Sequence, residues 1–80
     1  MDRKEYHEIK KYITSLCKDS ALELANNVGL SDYETKLLLH INKNNSRVHI
    51  SLDLGTCESK ITKDSRKMFT KIYDYLKRQS

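Results

Sequence analysis

Proline is absent from the chain, and glycine occurs only at positions 29 and 55. These are the residues that most readily break regular backbone, because proline removes an amide donor and glycine tolerates positive φ. A chain with so few breakers is expected to fold as helices, divided at Gly29, at Gly55 and at clusters of small polar residues. Its 80 residues can bury one core but not two, so residues 1–80 are read as a single domain. An apolar share of 38% beside 32% charged residues fits amphipathic helices better than a disordered or membrane chain. The uncharged stretch from Leu24 to Leu30 falls far short of the ~20 apolar residues a bilayer needs. The charged start Met1-Asp2-Arg3-Lys4-Glu5 leads into no signal-peptide core, so the expected location is the cytoplasm, away from membrane.

Cys17 and Cys57 are the only cysteines. Neither lies in a CxxC and no histidine stands at ligand spacing from either, so both are read as reduced thiols, with no metal and no cofactor expected. The sequon Asn44-Asn45-Ser46 is read as a chance match in a chain without an export signal. His7, His40 and His49 are assigned to separate elements and there is no Gly-rich phosphate loop, so no enzymatic activity is expected.

From Tyr6, the positions Ile9, Ile13, Leu16 and Cys17 recur at helical spacing, and the stripe continues through Ala21, Leu24, Ala25 and Val28. Ser20-Ala21-Leu22-Glu23 has the form of a capping box, in which serine and glutamate serve the free amides of a helix start. The pattern therefore predicts N-terminal helices over 3–18 and 20–28, one continuous helix being the alternative. Gly29 suits the position just past a helix end, and Ser31-Asp32-Tyr33-Glu34 supplies a second capping box. A third helix is predicted from Asp32 to about Lys43, with Tyr33, Leu37, Leu38 and Ile41 on one face. The polar run 42–46 reads as a loop whose Ser46 caps a short helix from Arg47 to Leu54, ended by Gly55. Val48 to Leu54 also alternates with a strand's period of two, but the glycine turn and the helical arm beyond it favour helix. From Glu58 to about Lys77, Ile61, Met68, Phe69, Ile72, Tyr75 and Leu76 form one stripe. The expected fold is all-α, a small bundle of about five helices.

A short helix, a glycine turn and a second helix with polar and basic residues in its first turns is the layout of a helix-turn-helix, here within residues 30–78. Ile50 and Leu54 would face inward from the first helix and Ile61 from the second, with the small Ser51 allowing close approach. With Ile61 inward, Glu58, Ser59, Thr62, Lys63 and Arg66 point outward, flanked by Lys60 and Lys67. The net charge of +4 is unevenly spread. Residues 59–80 hold Lys60, Lys63, Arg66, Lys67, Lys71, Lys77 and Arg78 against only Asp64 and Asp74, whereas residues 19–58 are acidic on balance. A polyanion would meet the C-terminal segment first.

The stretch from Leu30-Ser31-Asp32-Tyr33-Glu34 through Ile50-Ser51-Leu52-Asp53-Leu54-Gly55 to Ile61 resembles the four-helix DNA-binding fold of sigma factor region 4 and LuxR-type regulators. Those families open with Leu-Thr/Ser-x-x-Glu and carry Ile-Ala-x-x-Leu-Gly on the first helix of the motif. Here Ser51 replaces the alanine, Thr56-Cys57 replaces Ile-Ser, Asp64 stands at an apolar position, and the LuxR-type Thr-Val-x-x-His is absent. The resemblance implies base-facing roles for Glu58, Ser59 and Lys63, with Arg47, Lys60 and Thr62 near phosphate.

The expected function is that of a small sequence-specific transcriptional regulator from a phage or other mobile element, binding double-stranded DNA through residues 47–67. Regulators of this size commonly pair across two half-sites, so a homodimer is expected, with Tyr73, Tyr75 and Leu76 among the surfaces for it. The alternative is a helix-turn-helix-shaped adaptor or inhibitor of a host protein such as RNA polymerase.

Overall fold

The computed structural model describes residues 2–79 and contains five α-helices with no strand among them. They are α1 (Arg3–Ser15), α2 (Lys18–Val28), α3 (Asp32–Asn42), α4 (Arg47–Leu54) and α5 (Glu58–Gln79). The all-α expectation is met. Val48 to Leu54 forms α4 rather than a strand, because only Ile50 of that segment is buried, where a period of two would require every second residue to face a core.

Local chemistry accounts for most of the boundaries. Asp2 opens α1 with a capping box closed by Glu5, and Ser31 opens α3 with one closed by Glu34. The Ser46 hydroxyl accepts the His49 amide at 3.2 Å to open α4. Gly29 and Gly55 end α2 and α4 at φ +83° and +66°. In both turns the next residue also donates back to the last turn, Leu30 to the Ala25 carbonyl and Thr56 to that of Ser51. Asn44 does the same for α3 at φ +60°, asparagine being the side chain that best tolerates this conformation after glycine.

The α1–α2 boundary is corrected. α1 stops at Ser15, Leu16 and Cys17 are extended, and α2 begins at Lys18 with Cys17 as its N-cap. The Ser20-x-x-Glu23 capping box is not formed; Ser20 lies inside α2, where its Oγ accepts from the Cys17 thiol at 3.2 Å. The reason is tertiary. The Asn42 amide of α3 donates to the carbonyls of both Ile13 and Leu16 at 2.8 Å, closing the end of α1 from outside the segment.

Ile13, Leu37, Leu38, Ile61, Met68, Phe69 and Ile72 are fully buried. α3 and α5 each touch all four other helices, so these two central helices share the core. The ring of Tyr6 lies 5.0 Å from that of Phe69, holding the start of α1 against the middle of α5. Tyr73, Tyr75 and Leu76, read from the sequence as spare surface for a second copy, are instead half-buried against the chain's own core. The large apolar side chains left exposed are Tyr12, Leu22, Val48 and Leu52.

Candidate nucleic-acid interface

α4 and α5 pack together through Ile50, Leu54 and Ile61, and Gly55 makes the turn between them. With Ile61, Ser65, Met68, Phe69 and Ile72 on the buried side of α5, a rotation of about 100° per residue carries Ser59, Lys63, Arg66 and Lys67 to the outer side. Of the residues expected to face DNA, Arg47, Glu58, Ser59, Lys60, Lys63, Arg66 and Lys67 are exposed, and Thr62 is half-buried. Thr62 spends its hydroxyl proton on the Glu58 carbonyl at 3.1 Å.

The two flanks of α5 differ electrically. On the flank toward α3, Lys60 reaches Asp64 at 3.2 Å and stands 5.5 Å from the Tyr33 ring centre, while Lys71 holds Glu34 at 2.9 Å. The Tyr33 hydroxyl donates to Asp64 at 2.7 Å. This hydrogen bond, helped by Lys60 and Lys67, holds the Asp64 carboxyl below the ordinary value against the opposing effect of burial. Burial foremost, and then the neighbouring Asp64 carboxylate, push the Tyr33 phenol up to about 12. Asp64 is thus held by Tyr33 and Lys60.

On the outer side and the opposite flank, Arg47, Lys63, Arg66 and Lys67 form no ion pair and no side-chain hydrogen bond with the described residues. Arg47, Thr62 and Arg66 open onto a cleft of ≈ 250 Å³ whose far wall is the first turn of α1, with Arg3, Tyr6 and His7. Sequence reasoning missed this contribution of α1. The only available signal was Arg3 in a first turn of mixed charge, which does not reveal which face of the bundle it joins.

Comparison with protein families, curated proteins and solved structures gives no match.

The histidines are less scattered than the sequence implies. His40 of α3 and His49 of α4 have ring centres 5.6 Å apart. Asn45 donates to His40 Nδ1 at 2.9 Å, so Nε2 carries the hydrogen that meets Asp53 at 2.6 Å. The His40 bond, against a smaller opposing desolvation, holds the Asp53 carboxyl below its ordinary value. These contacts tie α3 to α4 and fix the angle at which α4 is presented. No group of three or more metal-ligating side chains comes together among the described residues. No helix there is long and apolar enough to cross a membrane.

Proposed function

We propose that the protein is a sequence-specific DNA-binding transcriptional regulator in which α4, the Gly55 turn and α5 act as a helix-turn-helix, with the start of α5 in the major groove. One observation carries this reading. The cations on the outer side of α5 and at the start of α4 form no ion pair with the described residues, while Lys60 and Lys71 on the inner flank do. Cations held close together outside any ion pair favour a polyanion, whose condensed counterions are released on contact. Ser59 and Lys63, projecting from the first two turns of α5, suit base edges. Arg47, Arg66 and Lys67 suit the flanking phosphates, and Glu58 can accept from a cytosine amine. The resemblance to sigma region 4 and LuxR-type domains agrees with this placement. A single reading head buries little surface, so two copies on half-sites about one helical turn apart are part of the proposal. Sedimentation of the complex, showing one or two chains per duplex, checks that part.

Selection from a pool of random duplexes, with sequencing of the retained fraction, tests the reading. A motif should emerge, and it should lose definition at one position in Lys63→Ala. A retained pool as random as the input overturns it.

The rival reading, an adaptor for a host protein such as RNA polymerase, is favoured by Val48 and Leu52. These successive-turn neighbours on α4 are 54% and 78% exposed, and they give that helix an apolar outer edge. Val48→Ser with Leu52→Ser should leave duplex binding intact if α4 serves DNA. Loss of a polymerase pull-down in that variant supports the adaptor.

A further inference from the structure

We infer that the cleft between α1, α4 and α5 is a seat for one phosphodiester group of duplex DNA, and that Arg3 is a ligand of it. This inference rests on the DNA-binding reading and extends the interface to a helix outside the helix-turn-helix. Arg3, Arg47 and Arg66 come from three different helices, separated in sequence by some forty and then twenty positions, and line one concave surface. None of them makes an ion pair or side-chain hydrogen bond with the described residues. Converging guanidiniums repel one another, and an anion between them reverses that term. Their forked donors match phosphate oxygens.

The remaining lining fits the same ligand. Tyr6, fixed by its ring contact with Phe69, brings a hydroxyl with no hydrogen-bond partner among the described residues, and His7 adds ring nitrogens. Arg47 is the first residue of α4, at the positive end of that helix's dipole. One carboxylate also lines the cleft, that of Asp2, and it already accepts the Glu5 amide at 2.8 Å in the α1 cap. The ≈ 250 Å³ of space is several times the roughly 30 Å³ share of a water molecule, enough for a phosphate group with its ester oxygens. The cleft is continuous with the outer side of α5 through Thr62 and Arg66, so the phosphate would flank the bases met by Ser59 and Lys63.

Phosphate-ethylation interference on the selected duplex tests the assignment, with Arg3→Ala, Arg3→Lys and Lys63→Ala beside the parent. Arg3 is exposed in the first turn of α1, where loss of a cation favours the helix dipole, so the melting temperature should not fall. The expected result is that one protected phosphate disappears from the Arg3→Ala pattern and partly returns in Arg3→Lys. The salt slope should drop by about one unit, with affinity lost equally for all sequences. An Arg3→Ala pattern identical to the parent's, while Lys63→Ala loses a base contact, overturns the cleft and leaves the DNA reading standing. A parent that protects no phosphate at low salt overturns both. Titration with inorganic phosphate, followed by NMR, separates the sources. Saturable shifts at Arg3, Arg47 and Arg66 together with an unchanged interference pattern would assign the cleft to a small phosphate and overturn the duplex.

Discussion

Asn42 shows how much one polar side chain can settle. Its amide closes the carbonyls of Ile13 and Leu16, two of the acceptors that every helix leaves open at its C-terminal end. Asn42→Ala leaves the Leu16 carbonyl without this donor in a half-buried place and leaves Ile13 with only the Leu16 amide, and a loss of about 1–3 kcal/mol is expected in denaturant melts. The titratable side chains set a pH window. Asp64, hydrogen-bonded by Tyr33, and Asp53, bonded to His40, have lowered carboxyls; Glu34 is lowered because Lys71 and Ser31 outweigh the upward push of burial. A carboxyl lowered in the fold adds stability that is present above its unfolded value and lost as pH falls through the folded one. Stability should therefore decline on acidification below about pH 4, where unfolded carboxylates titrate. Tyr33 behaves oppositely, since burial and Asp64 raise it to about 12. Its contribution is present below the ordinary phenol value of about 10 and lost as pH rises through the folded value. Tyr33→Phe should abolish that alkaline decline and weaken the acidic one, because Asp64 then keeps only Lys60 and the more distant charge of Lys67. Melts recorded across the pH range check both signs.

At the scale of elements, Gly55 and the α5 stripe decide whether α4 and α5 hold their mutual angle. A Cβ at Gly55 would meet nothing within 4 Å, so the positive φ of +66° is the whole penalty. Gly55→Ala should cost about 1–2 kcal/mol, and Gly55→Asn less. Ile61→Ala or Phe69→Ala should cost about 2–5 kcal/mol through the cavities they leave; an unmoved melting temperature in either would contradict their place in the core. Much of this was legible because it is local. Ser31, Ser46, Gly29 and Gly55 act within a few residues of themselves, and α5 repeats its apolar spacing for several turns. The end of α1 was not legible, since Asn42 lies far along the chain and nothing in its local sequence marks it as a partner of α1. The same limit applied to the candidate site. The outward residues of α5 follow from the position of Ile61, but the neutralisation of Lys60 by Asp64 and the arrival of Arg3 beside Arg66 depend on how α3 and α1 pack.

For the whole molecule, the central matter is where the net positive charge is free to act. Lys60 and Lys71 are engaged across the α3 flank, and removing Lys60 would strip Asp64 of one of its partners. Arg47, Lys63, Arg66 and Lys67 can be replaced without disturbing the core, since all four are exposed and form no ion pair with the described residues. The fourfold change to Ala should accordingly keep the helical spectrum and melt close to the parent. The measurement that bears most directly on function is duplex affinity as a function of salt, for the parent and this fourfold variant. The parent's log K should fall linearly with log salt, by about 0.9 for each phosphate contacted, and the variant should bind far more weakly with a slope shallower by several units. A parent that binds no duplex at low salt, or a folded variant that binds with the parent's affinity and slope, would contradict the DNA-binding account.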